Sequence, residues 1–167
     1  MPCNTAHAFY DEIASELSVP LVNMVEETAA FISRAYPATQ KIGLLATEGT
    51  VRSRVYHRVF ESAGIEVTDI TPALQRQVTG AIYGKTGIKA GGTTGPAMLL
   101  KPAFNFLKAA GVDMVVLACT ELPLVVNTQS AGVPCIDTTE VLAQALLREA
   151  SQTVEVASYA ESSLAAG

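Results

Sequence analysis

Two hydrophobic periods alternate along the chain. Ala6, Phe9, Tyr10, Ile13 and Leu17 recur at helical spacing, which predicts a helix over 6–17 with Asn4 or Thr5 as its N-cap. A short apolar run over 19–24 (VPLVNM) predicts a strand, and Glu26 and Glu27 then open a helix that Pro37 stops. The KIGLLA run over 41–46 predicts a buried strand. It leads through the turn Thr47-Glu48-Gly49-Thr50 into a helix over 52–63 that Gly64 ends. Further strands are predicted at 65–70, 112–118 and around 133–136, and further helices at 71–83, 96–110 and 139–150. The glycines from Gly80 to Gly95, around Lys85 and Lys89, predict a mobile loop. The Ser- and Ala-rich end, 151–167, predicts a loose tail or a frayed helix. Continuously apolar strands alternating with helices predict an α/β fold, a parallel sheet covered on both faces.

The pattern also echoes itself. Cys3 is followed after 17 residues by Pro20 in Val-Pro-Leu-Val-Asn, and Cys119 after 15 residues by Pro134 in Val-Pro-Cys-Ile-Asp. Each segment is followed by a helix with acid near its start. The echo predicts two related half-units, with Cys3 and Cys119 brought by a pseudo-twofold to opposite sides of one cleft.

Composition narrows the partners. With 11 basic and 16 acidic residues the net charge is −5, and no basic run offers a footprint for nucleic acid or an acidic membrane. The opening residues have neither the basic region nor the apolar core of a signal peptide, and the apolar run 112–118 is far too short to span a bilayer. Three cysteines at these spacings predict neither a disulfide framework nor a zinc site, so free thiols in a reducing cytoplasm are expected. The length of 167 residues allows one domain or two small lobes.

The candidate chemistry follows from where the cysteines fall. A cysteine at the carboxyl end of a parallel strand, just before a helix, sits where ligands bind in open α/β sheets, and a helix N-terminus there is expected to lower a thiol's pKa. Cys119 meets this description, and Cys3 is likewise followed by polar residues, whereas Cys135 between Pro134 and Ile136 reads as core. Two equivalent thiols fit inversion of a stereocentre: one removes a proton from one face and the other returns one to the opposite face. No phosphate or dinucleotide fingerprint and no Schiff-base lysine setting is present, so no cofactor and no metal is expected.

Four ordered motifs carry a resemblance: Cys3-Asn4-Thr5-Ala6-His7; Gly43-Leu44-Leu45-Ala46-Thr47 with Gly49-Thr50; Ile82-Tyr83 with Gly87-Ile88-Lys89-Ala90-Gly91; and Cys119-Thr120-Glu121. From Met1 to about Ala150 the chain resembles the aspartate/glutamate racemase family, above all its cofactor-independent aspartate racemases. The resemblance implies two α/β lobes, each a parallel four-stranded sheet flanked by helices, with the active site between them. It implies that Cys3 and Cys119 are the acid/base pair, and that Asn4, Thr5 and Thr120 hold the α-carboxylate and amine. Thr47 and Thr50 match threonines of the second lobe's first loop. Lys89 matches a basic residue that grips a substrate carboxylate. Glu121 stands where glutamate racemases carry histidine, which favours the aspartate type. For Thr50 a helix-capping role and for His7 a structural role within the helix remain open.

The family also carries a segment ahead of Cys3, with a first strand, a glycine-rich turn and an arginine, that has no counterpart here. Residues 1–18 with 132–150 are accordingly expected to form an incomplete first lobe, 19–131 the second lobe, and 151–167 the tail. The expected partners are an amino acid, aspartate or glutamate, and a second copy of the chain. The expected function is amino-acid racemisation; the alternative is a non-catalytic remnant that binds a small carboxylate or a partner subunit.

Overall fold

The computed structural model describes residues 1–126 and 131–164, and its centre is one parallel sheet. Strands β1 (Lys41–Ala46), β2 (Glu66–Thr68), β3 (Met114–Ala118) and β4 (Cys135–Asp137) lie in the order β2-β1-β3-β4. Helices α1 (Tyr10–Ser15), α2 (Met24–Ala35), α3 (Glu48–Ser53), α4 (Val55–Ser62), α5 (Pro72–Tyr83), α6 (Thr94–Ala109) and α7 (Thr138–Leu164) connect and cover them. The α/β prediction therefore holds.

Each central strand is buried on both faces, which is why its sequence reads as an unbroken apolar run. Leu45, Val115 and Leu117 pack under α5 and α6. Leu44, Ala46, Met114, Val116 and Ala118 pack with side chains of α2, α4 and α7 on the other face. Asp113 interrupts the run for a reason: its carboxylate accepts the backbone N–H groups of Gln40 and Lys41 at 2.8 and 2.9 Å, tying the start of β3 to that of β1. Those two donors hold its pKa below the usual carboxylate value.

The chain departs from the sequence expectations at five places. Residues 19–23 are not a strand: Pro20 has no N–H to give a ladder, and Asn23 turns the chain by accepting from Val25 and Glu26 N–H as the cap of α2. The helix over 6–17 is a 3-10 turn, Thr5–Phe9, running into the short α1. The helix over 52–63 starts earlier and is two helices, broken at Arg54, whose φ of 54° is left-handed. The glycine-rich segment is a set of tight turns rather than a free loop. The Gly87 carbonyl accepts from Ala90 and Gly92 N–H, and a Cβ on Gly92 would stand 2.0 Å from the Thr86 carbonyl oxygen. Finally, α7 continues the helix predicted to end near 150 as far as Leu164, while 165–167 lie outside the described residues.

The segment 132–150, grouped from the sequence with 1–18, holds the last strand and the first part of α7. Its strand β4 pairs in parallel with β3, Val116 opposite Ile136, so it extends the sheet of β1 and β3. Helix α7 then packs against α2. Among the described residues no helix is long and apolar enough to cross a membrane.

Candidate active site

The strand order fixes where a ligand goes. From β1 the chain moves outward to β2, then returns across to β3 on the other side of β1, so the connections leave β1 and β3 in opposite directions. A crevice opens at the carboxyl ends of two such strands. Ala46 and Ala118 are register partners at the ends of β1 and β3, so the next residues, Thr47 and Cys119, stand side by side at that crevice.

A cleft of about 270 Å³ lies there, lined by Cys3, Asn4, Thr5, Thr47, Lys89, Cys119, Thr120 and Glu121, with Pro2, Tyr83 and Ala118. Eight of the nine residues singled out from the sequence thus line one space. The ninth, Thr50, is fully buried behind it. A groove of about 450 Å³ between α6 and Val125, Val126 and Ala131 is larger, but Lys101 and Asn105 are the polar residues in an otherwise apolar lining. Volume alone does not make it the chemical site.

Three hydroxyls form a closed triangle at the back of the cleft. Thr5 Oγ1 lies 3.0 Å from Thr47 Oγ1 and 2.8 Å from Thr50 Oγ1, and the last two are 3.0 Å apart. Thr47 is also the N-cap of α3 and accepts the Thr50 N–H, so the capping role and the site role fall on the same residues. Thr5 reaches the triangle because residue 49 is glycine: a Cβ there would lie 3.1 Å from the Thr5 methyl.

The N-terminal turn is held by His7, which is buried. Its Nδ1 donates to the Cys3 carbonyl at 2.8 Å, and its Nε2 accepts the Met24 N–H at 3.0 Å. Both ring nitrogens are committed to the backbone, and burial pushes the pKa down, so the ring stays neutral and fixes the position of Cys3. Both ring nitrogens of His7 are thus engaged by the backbone, and the residue does not line the cleft. The Asn4 side chain, a candidate cap from the sequence, makes no capping hydrogen bond to the turn. It is buried and accepts through Oδ1 from the Tyr56 hydroxyl and from Thr138 Oγ1.

On the opposite wall Cys119 is buried at the end of β3, while Cys3 is exposed. Cys119 Sγ donates to Glu121 Oε2 at 2.9 Å, Thr120 Oγ1 donates to the same oxygen at 3.0 Å, and Lys89 Nζ stands 2.7 Å from Oε1. Lys89 also lies over the Tyr83 ring, 5.5 Å from its centroid. Burial, then the hydrogen bond to the Glu121 carboxylate, pushes the Cys119 thiol up to about 12. The expectation of a lowered thiol pKa is thus reversed. Cys119 is followed by a single 3-10 turn rather than a long helix, and a desolvated thiol beside an anion keeps its proton. For Glu121 burial raises the pKa, but the donors from Cys119, Lys89 and Thr120 outweigh it and bring the carboxyl down to about 2. At neutral pH the wall therefore carries a thiol, a carboxylate and an ammonium in contact.

Cys135 has no such setting. Its Sγ points at the Val133 carbonyl, and burial pushes its thiol up to about 11. Sequence reasoning missed Tyr56 and Thr138, which support the site from behind. Each falls where an ordinary apolar-face or helix-start residue is expected, so no local signal marks it.

A parallel α/β sheet with two thiols, an amide and hydroxyls around one small polar cleft at its switch point defines a class: a binding site for a small polar molecule, equipped with acid/base groups. Comparison with known proteins places it more closely. The Asp/Glu/Hydantoin racemase family model matches residues 1–146. The broad specificity amino-acid racemase RacX of Bacillus subtilis is 32% identical over 146 residues, covering 86% of this chain and 60% of RacX. An uncharacterised protein from the pnlA 3' region of Pectobacterium carotovorum is 31% identical over 136 residues, 80% of this chain and 87% of that protein. The aspartate racemase of Picrophilus torridus superposes with a TM-score of 0.78 at 28% identity, covering 90% of this chain and 61% of that one. The chain belongs to the Asp/Glu/hydantoin racemase family. It spans about three fifths of the length of RacX and of the Picrophilus enzyme.

Proposed function

We propose that the cleft is the site of an amino-acid racemase that inverts the α-carbon with Cys3 and Cys119 and needs no cofactor, with aspartate as the first substrate to test. The observation that carries this reading is that the two thiols line one cleft together with the buried amide of Asn4. One cysteine, as thiolate, takes the α-proton. The negative charge left on the substrate spreads into its α-carboxylate, where the Asn4 amide and the threonine hydroxyls act as donors. The other cysteine, as thiol, returns a proton to the opposite face. The two sulfurs exchange roles, and no proton is gained or lost overall.

In the resting chain Cys119 carries its proton on account of its burial and of Glu121, so it serves as the donor and Cys3 as the base in the first turnover. Reversal requires Lys89 and Glu121 to part or to take up the substrate's own charges. The ammonium of the amino acid suits Glu121, and a side-chain carboxylate suits Lys89. Two lobes closing over the cleft, a second copy of the chain and a reducing cytoplasm complete the reading. The three free cysteines and the exposed Phe9, Leu17, Val19 and Leu147 are in keeping with it.

The test is exchange of the α-hydrogen of L- and D-aspartate with deuterated water, followed by NMR. The unmodified chain is expected to exchange both, and Cys3→Ser and Cys119→Ser each to lose at least about 100-fold, as removal of an acid/base group does. Exchange in either variant at the rate of the unmodified chain would sink the two-cysteine mechanism. A second reading, binding of a small carboxylate without turnover, draws on the exposure of Cys3. It predicts saturable binding of aspartate with no exchange at all.

A further inference from the structure

The Tyr56 hydroxyl lies outside the cleft, and a phenylalanine would fill the same core. Tyr56 is fully buried on α4 and stacks on Phe60 with ring centroids 5.9 Å apart. A hydroxyl at such a place costs stability unless it is hydrogen-bonded. Its partner is Asn4 Oδ1, which also receives Thr138 Oγ1 at 3.3 Å. Thr138 shares its proton with the Leu117 carbonyl at 3.1 Å, so the Tyr56 proton is the one that needs Asn4 as its acceptor.

This decides which way the amide faces. With Oδ1 turned to Tyr56, Nδ2 is left on the other side, buried and without a partner among the described residues, on a residue that lines the cleft. With the amide reversed, Nδ2 would meet the two hydroxyls, the Tyr56 proton would be left to the neighbouring Thr138 Oγ1, and the cleft would receive Oδ1. An amide N–H donates to a carboxylate, whereas an amide oxygen repels one. One hydroxyl outside the site therefore sets the sign of the group inside it.

We propose that Tyr56, supported by Thr138, is a positioning residue that locks the Asn4 amide with its NH₂ group toward the carboxylate of the bound amino acid. The inference rests on the reading that this cleft binds an amino acid, and the experiment separates the two.

The probe is aspartate, titrated into ¹⁵N-labelled protein while the side-chain amide signal of Asn4 is followed; Asn4→Ser identifies that signal. In the unmodified protein the signal is expected to move on binding. In Tyr56→Phe it is expected to sit at a different position before any ligand is added, and the affinity for aspartate to fall about 10-fold, the scale of one hydrogen bond to a charged group. Thr138→Val is expected to give a smaller loss, about 2- to 3-fold, and Thr138→Ser to restore affinity. Where the enzyme turns over, Tyr56→Phe raises KM and leaves kcat within about 3-fold, which a general loosening of the core would not do. An Asn4 signal that ignores aspartate in the unmodified protein overturns the binding reading itself. A signal that responds in both proteins with equal affinity overturns the role of Tyr56 alone. Should Tyr56→Phe fail to fold, Asn4→Asp decides. It keeps an acceptor for both hydroxyls but offers the ligand an anion, so it is expected to fold and to lose aspartate binding at least 100-fold. Retained binding in Asn4→Asp overturns the proposal.

Discussion

At the scale of single residues, the wall formed by Cys119, Glu121 and Lys89 sets the chemistry of the cleft. Two effects push the thiol up, burial and the neighbouring carboxylate, while the Glu121 backbone N–H and, less strongly, the Lys89 ammonium pull it down. Removing the carboxylate's charge while keeping its shape leaves burial against the backbone N–H of residue 121 and Lys89. Glu121→Gln is therefore expected to move the thiol titration to lower pH, and Lys89→Gln to move it higher. Alkylation of Cys119 by iodoacetamide as a function of pH, in a Cys3→Ser background, measures both shifts, since Cys135 is half-buried and held by the Val133 carbonyl. Coincident profiles for the two variants would mean that Glu121 does not hold the proton on Cys119. The position of Cys119 is legible in the sequence, because an apolar run that ends at a cysteine and a polar pair marks a strand end. The direction of its pKa is not legible. Rules for helix starts predict a depressed thiol, and only the three-dimensional burial, with a carboxylate two residues on, shows that the opposite effect wins. Tyr56 lies further still from sequence reasoning, since its position on α4 fits an apolar face as well as it fits a hydroxyl donor.

At the scale of elements, the site depends on how closely the N-terminal turn approaches α3. Gly49 sits in the first turn of that helix, where glycine costs about 1 kcal/mol relative to alanine. Against that gain stands the 3.1 Å approach of a new Cβ to the Thr5 methyl, tight enough to force a shift. A methyl that pushes a part-buried turn outward costs about the same amount, so Gly49→Ala is expected to change the urea midpoint little. Its effect falls on the site instead, because moving Thr5 opens the hydroxyl triangle with Thr47 and Thr50. Aspartate affinity is expected to drop about 3- to 10-fold with stability held, on the scale of one weakened hydrogen bond. An unchanged affinity would show that the triangle tolerates the shift. The same element-level reasoning explains what the pattern of apolar residues conveys. Strands β1 and β3 are readable because burial on both faces leaves no polar position in them after Lys41, the first residue of β1. The run over 19–24 has the same composition, yet it forms no ladder: Pro20 lacks a donor, and the Asn23 side chain diverts the backbone into a cap. Glycine density after α5 points to flexibility only in the absence of neighbours, and at Gly92 the neighbour is a carbonyl oxygen too close to admit a side chain.

At the scale of the whole molecule, the perturbed groups together define how stability varies with pH. His7 has a folded pKa below its ordinary 6.5, so the folded state binds its proton less readily than the unfolded chain. Its contribution is complete above about 6.5 and is lost as pH falls below that value. Glu121, lowered from 4.5 to about 2, adds a second acid step, with its contribution complete above 4.5 and lost as pH falls toward 2. For a carboxylate still partly open to solvent that step is on the order of 1–2 kcal/mol. On the alkaline side Cys119 and Cys135 are raised from 9.0 to about 12 and about 11, so their contributions are complete below 9 and are lost as pH rises through those values. Buried Tyr56, raised above its ordinary 10, acts in the same direction. The urea midpoint is therefore expected to be flat between about pH 6.5 and 9 and to fall on either side. Glu121→Gln should flatten the step between pH 4.5 and 2, and Cys119→Ser should reduce the fall above pH 9. Because the Cys119–Glu121 hydrogen bond shifts both groups, each variant should also reduce the opposite limb, by less than its own. An acid limb identical in Glu121→Gln and in the unmodified chain would mean that the contacts of Glu121 with Cys119, Thr120 and Lys89 do not hold its carboxyl down in solution. Resting protonation of Cys119 would then have to be attributed to its burial alone.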